Sequence, residues 1–128
     1  MSKLIHYTRG NAVIDGKSGW FIGQFVPEEY GLRSRTDVEV KWGIHPQGEM
    51  RTRWSRYRTA VTIPILLQGQ CLIRLRIDGL IHDVLLEEPG DYLIMNPGID
   101  HTWKAVSDCI VLTIRCPSVP DDVIESQE

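Results

Sequence analysis

The chain has 128 residues and a mass of 14.6 kDa, the length of one domain built on one hydrophobic core. Apolar residues make up 42% and charged residues 24%, with 14 Lys+Arg against 17 Asp+Glu for a net charge of -3. That balance excludes a disordered chain and supplies no global attraction to nucleic acid. The opening stretch, MSKLIHYTRG, lacks the apolar centre of a secretion signal. The longest uncharged run, Thr59 to Ile73, holds 15 residues broken by Pro64, Gln68, Gly69 and Gln70. It is too short and too interrupted to span a bilayer, so no membrane partner is expected. Cys71, Cys109 and Cys116 are odd in number and include no CxxC, the pattern of reduced thiols in a cytoplasmic protein.

Turn signals recur along the chain at Asp15-Gly16, Gly48, Gln68-Gly69, Asp78-Gly79, Pro89-Gly90 and Pro97-Gly98. The runs between them have strand length. The first is Trp20 to Phe25. Next, Val38, Val40 and Trp42 alternate with Glu39 and Lys41, which predicts a strand whose apolar set is buried. Val61 to Leu67 follows, apolar on both faces. Cys71, Ile73, Leu75 and Ile77 then alternate with Leu72, Arg74 and Arg76. Leu80 to Leu86, Tyr92 to Met95, His101 to Ala105 and Cys109 to Arg115 complete a set of eight to ten strands. No window of helix length shows helical periodicity. The expectation is an all-β domain over residues 10–118, a sandwich or a barrel, followed by an acidic, solvated tail over residues 119–128.

The string Gly90-Asp91-Tyr92-Leu93-Ile94-Met95-Asn96-Pro97-Gly98-Ile99-Asp100-His101 resembles the second conserved motif of the cupin superfamily, with Asn96 where the family usually has a Pro. Pro46-Gln47-Gly48 resembles the turn before the first motif, and Leu67-Gln68-Gly69-Gln70 the hairpin that ends it. The resemblance spans about residues 38–116 and implies an RmlC-like double-stranded β-helix, a jelly-roll barrel whose lumen holds the site. Metal-binding cupins supply two His and one Glu from the first motif and one His from the second. Only His101 remains here. Counting from Gly48 and Gly69 puts Trp54, Arg56 and Thr62 at the other three positions. Indole, guanidinium and hydroxyl are poor partners for a divalent transition metal, so no metal cofactor is expected.

His101 and Trp103 share a strand face, which the resemblance turns toward the lumen. His101 is then a ligand contact or a catalytic general acid/base, or a family residue that only hydrogen-bonds inside the barrel. His45 and Glu49 flank the Pro46-Gln47-Gly48 turn. With His101 they form the alternative set, a centre for a divalent transition metal in an isomerase or dioxygenase. Their parity, opposite to Val38, Val40 and Trp42, favours a solvated turn pair instead.

Arg51, Arg53, Arg56 and Arg58 interleave with Trp54 and Tyr57, and Arg74 and Arg76 add to them. Guanidinium groups suit a carboxylate or phosphate. The same residues also suit an outer, salt-bridged strand, whereas the acidic overall balance disfavours a nucleic-acid stripe. His6 and His82 have no partner in the pattern, and Cys71 and Cys109 read as buried, inert thiols. The expected protein is a small-molecule-binding cupin that takes an anion in its lumen, lined by Trp42, Trp54, Arg56, Thr62, His101 and Trp103. The two apolar faces of Val61 to Leu67 point to a homodimer.

Overall fold

Short alternating runs joined by tight turns favour antiparallel pairing, and the computed structural model, which describes residues 6–126, is built from it. Nine strands are formed among the described residues: β1 (Trp20–Ile22), β2 (Glu39–His45), β3 (Trp54–Tyr57), β4 (Val61–Gln68), β5 (Cys71–Ile77), β6 (Leu80–Leu86), β7 (Asp100–Ala105), β8 (Cys109–Cys116) and β9 (Val123–Ser126). They form two antiparallel sheets, ordered β1-β2-β8-β4 and β6-β5-β7-β3-β9, which face each other as a jelly roll. Among the described residues helical structure is confined to one turn, α1 (Ala12–Asp15), capped by the Asn11 side chain, and to 3-10 turns over Glu28–Arg33. No described helix is long and apolar enough to cross a membrane.

The core lies between the sheets. Leu66, Cys71, Ile73, Leu75, Leu86, Met95, Ala105, Cys109 and Val111 are buried together there, so β5 turns inward the face that its alternation predicts. Gly69, in the β4–β5 hairpin, has φ 79°, and a Cβ on it would lie 2.0 Å from the Asp108 carbonyl oxygen. Only glycine fits that turn.

Three expectations are corrected. Tyr92 to Met95 runs beside β4 but pairs with it only through bridges at Thr62–Met95 and Ile65–Tyr92. Pro64 sits between them without an N–H, so the ladder lacks a donor there. The acidic stretch read as a solvated tail carries β9, which pairs with β3 from Trp54–Ser126 to Tyr57–Val123. Just before it, the buried Asp122 carboxylate accepts hydrogen bonds from the Thr59 and Ala60 N–H groups at 3.0 and 2.9 Å.

The third correction concerns β2. Lys41 and His45 line the lumen, and Glu39 reaches an adjoining cavity. Val40, Trp42 and Ile44, of the opposite parity, therefore face out, with Ile44 59% exposed. Period 2 identifies a strand with two unlike faces, but neighbouring strands decide which face is inside.

The outer face of the four-stranded sheet is in consequence apolar. Val40, Ile114 and Ile63 lie side by side, as do Trp42, Leu112 and Ile65, and the exposed Tyr92 and Ile94 extend the surface. A face of this kind, with no charged side chain among these eight, is complementary to itself. The homodimer expected from the sequence is therefore proposed to form here. Light scattering at micromolar concentration should give twice the chain mass, and Ile65→Glu with Leu112→Glu should return it to that of one chain. A wild-type mass of about 14.6 kDa would count against this interface.

Candidate functional site

Between the sheets is a cavity of about 510 Å³. Polar side chains reach it from strand positions that share the parity of apolar core residues elsewhere on the same sheets. β2 contributes Lys41 and His45, β8 contributes Thr113 and Arg115, β4 contributes Thr62, and β7 contributes His101 and Trp103. Arg51 enters from the segment before β3.

Arg115 has 13% of its side chain exposed and is held between two rings, 4.0 Å from the centroid of Tyr57 and 4.6 Å from that of Trp20. One terminal nitrogen donates to Glu39 at 3.3 Å, and the other Glu39 oxygen accepts from the Ser118 hydroxyl at 2.8 Å. Burial, above all, pushes its pKa down, yet a guanidinium keeps its charge at any ordinary pH. Its Nε and the Thr62 hydroxyl oxygen are buried without a partner among the described residues. Arg51 donates to the Ser55 hydroxyl at 2.8 Å. Its carboxylate partner, Glu125, is 3.9 Å away and lies closer to Arg53, at 3.2 Å. Lys41 approaches the Trp20 ring at 5.8 Å. Its pKa is lowered by burial first and then by Arg115 and Arg51.

Two imidazoles face the same space. His101 is 6% exposed, donates from Nδ1 to the Ile99 carbonyl at 3.1 Å and stacks on Tyr57 at 5.9 Å. Its Nε2 is left as an acceptor. Burial is the main cause holding its pKa below the usual histidine range, with Arg115 and Arg51 adding to it. The ring is then neutral at neutral pH. His45 pairs through Nδ1 with Glu49 at 2.5 Å and lies against the Trp103 ring at 4.4 Å. The solvated turn pair favoured by parity is thus half right. Glu49 is 42% exposed, but His45 is only 13% exposed and belongs to the cavity wall.

Of the ligand-binding residues expected from the sequence, Thr62, His101 and Trp103 line the cavity. Trp42, Trp54 and Arg56 do not. Trp42 is on the outer face of β2, beside α1. Trp54 carries Arg76 on its ring at 4.5 Å, and Arg56 pairs with Asp100 at 3.3 Å. The count from Gly48 was one residue out of register: the fully buried Ser55 and the buried Tyr57 point inward on β3, and their neighbours point out. Arg51 and Tyr57 come from the Arg-rich stretch that the sequence offers to an anion, with Arg51 taking the inward place in that stretch, while Trp20, Lys41 and Arg115 were missed. Arg115 was legible, since it shares strand parity with the buried Cys109 and Val111. Cys71 and Cys109 are buried as expected, and burial pushes the Cys71 thiol up to about 12.

No family model matches the sequence, and no curated protein matches it. Solved structures do. Oxalate decarboxylase from Bacillus subtilis superposes with a TM-score of 0.63 at 12% identity, over 78% of this chain and 26% of that one. This is a cupin fold. The QdtA 3,4-ketoisomerase from Thermoanaerobacterium thermosaccharolyticum, solved in complex with TDP, matches with a TM-score of 0.61 at 20% identity, over 70% of this chain and 64% of that one. A cupin protein from Bacteroides fragilis gives 0.55 at 24% identity, over 66% and 70%. The chain spans about a quarter of the decarboxylase, and at these identities the likeness is one of fold.

The cupin resemblance implies a divalent metal, so the donor set matters. The inward residues nearest the family positions are Ser55, Tyr57, Thr62 and His101, three hydroxyls and one imidazole. The Tyr57 ring is covered by a guanidinium. Among the described residues no three His, Cys, Asp or Glu side chains could hold a metal ion, His45, Glu49 and His101 included. This set does not fit the metal. Elemental analysis of protein purified without a His-tag should find far less than one transition metal per chain. A stoichiometric metal lost in His101→Ala would overturn that expectation.

The lowered His101 pKa also fixes a sign. At pH values between its folded pKa and the unfolded value of about 6.5, the unfolded chain binds the additional proton. Stability contributed by the neutral ring is therefore complete above about pH 6.5 and is lost as pH falls from there through the folded pKa. Thermal unfolding followed at decreasing pH should show that loss in the wild type and a smaller one in His101→Gln.

Proposed function

We propose that this cupin domain binds a small organic anion, a carboxylate or a phosphate, in its lumen. The observation that carries the reading is the charge of the wall. Lys41, Arg51 and Arg115 line the cavity against a single carboxylate, Glu49, which already pairs with His45. A cation taken out of water without a close counter-charge carries a penalty of several kcal/mol. Arg115 has Glu39 to offset it, while among the described residues Lys41 has no ion pair and Arg51 has only a distant, shared one. An anion in the cavity offsets the remainder. Trp103 and Trp20 supply flat apolar wall for the body of the ligand, as pockets of this size usually do. The anchor is Arg51 rather than Arg56, whose guanidinium is on the outer face with Asp100. A metal-dependent isomerase or dioxygenase has no donor set here to support it.

Small carboxylates and phosphates should raise the melting temperature more than matched neutral analogues do. Arg51→Met should remove that difference, and Arg56→Met should leave it intact. Equal stabilisation by neutral analogues, or none by any anion, would reject the reading.

A further inference from the structure

β1 is an edge strand of one sheet and β9 an edge strand of the other. Trp20 of β1 and Val123 of β9 both line a second cavity, of about 430 Å³, which shares Trp20, Arg51, Tyr57 and Arg115 with the lumen. Val123 stands opposite Tyr57 in the β3–β9 register, and directly paired residues point to the same face. It therefore continues the inward face of β3 past the lumen. Phe25, Ala60, Pro117 and Val119 complete the apolar part of the wall. Phe25 is 43% exposed and Val123 42%, so the cavity presents hydrocarbon to whatever enters it. Two of its carboxylates are already engaged. Glu39 accepts from Arg115 and the Ser118 hydroxyl, and Asp122 accepts from the Thr59 and Ala60 N–H groups. The third, Asp121, is exposed, as is Lys17. A wall of this kind takes the apolar part of a ligand, because its inner polar groups have their partners within the protein.

We infer that the ligand is an amphipathic monocarboxylate, its head held by Arg51 and its hydrocarbon body lying in the second cavity against Trp20, Phe25 and Val123. This rests on the anion-binding reading and adds what the anion is attached to. Of the three cations of the lumen, Lys41 does not border the second cavity. Arg115 borders both spaces, but Glu39 already pairs with it at 3.3 Å. Arg51 borders both as well. It donates to the fully buried Ser55 hydroxyl at 2.8 Å, and its carboxylate partner Glu125 is 3.9 Å away. A carboxylate on Arg51 is thus at the wall common to the two spaces, where a chain attached to it meets the edge-to-face pair of Trp20 and Phe25, 5.9 Å between centroids. Each methylene laid against those rings leaves water, and binding gains with every one. An acid of two or three carbons engages Arg51 equally well but leaves Phe25 and Val123 wet.

The experiment titrates the full chain calorimetrically with butanoate, hexanoate and octanoate below their micellar concentrations, and with octanamide as the neutral control. Affinity should rise by about threefold for each added methylene, and octanoate should bind more tightly than octanamide. Phe25→Gln and Val123→Gln, two neutral changes at exposed positions, should each lower octanoate affinity by about tenfold while butanoate affinity stays within about twofold. Arg51→Met should weaken all three acids by a similar factor and leave the dependence on length intact. If the acids bind with no gain from length, or if the gain survives both Gln variants, the second cavity is not part of the site and the anion reading stands. If no acid binds, or if octanamide binds as tightly as octanoate, both readings fall.

Discussion

The guanidinium of Arg115, clasped by two aromatic rings and one carboxylate, is the contact on which the arrangement of the lumen turns. Arg115 lies on β8, a central strand of its sheet, and its partners come from β1, β2 and β3. One side chain thereby ties the four-stranded sheet to the five-stranded one through polar and cation–π contacts, where a small barrel would ordinarily use aliphatic packing. A buried pair that loses one member leaves the other charge unmatched, at a cost of about 3–5 kcal/mol. Glu39 and Arg115 are therefore constrained together. The position of Trp20, and with it the path of the short β1 strand, depends on both.

A barrel organised around cations has a chemistry unlike one organised around a metal. A metal centre concentrates positive charge at a point and polarises whatever coordinates it. Here the charge is spread over groups that approach from different strands, and two imidazoles lie among them. Such a wall suits the small anion proposed above, with the His101 ring held by the Ile99 carbonyl and His45 paired with Glu49.

The all-β class, the strand runs and the cupin likeness were legible because turn glycines and period-2 alternation are local signals. The β5 strand, with its cysteine, isoleucine and leucine inside, was read correctly from pattern alone. The β2 strand was not, because its apolar residues Val40, Trp42 and Ile44 belong to an outer surface and its polar ones to the lumen. A rule that buries the apolar face holds wherever the interior is a core, and reverses where the interior is a polar cavity and the exterior an apolar sheet face. The Arg-rich segment failed for a related reason: without a histidine to fix register, a shift of one residue exchanges Ser55 and Tyr57 for Trp54 and Arg56. Thr62, His101 and Trp103 survived because Gly69 and the Gly90–His101 string anchor their strands at fixed offsets.

The four indoles divide evenly between the two sides of the wall. Trp20 and Trp103 border the cavity, Trp103 in contact with an imidazole and Trp20 with a guanidinium. Trp42 lies on the outer sheet face, and Trp54 on the opposite exterior under Arg76. The protein thus carries two pairs of intrinsic fluorophores that report on different events. Emission from Trp20 and Trp103 would report a ligand bound in the lumen, while Trp42 would report a second chain on the apolar face. Single Trp→Phe replacements separate the two signals without an added dye.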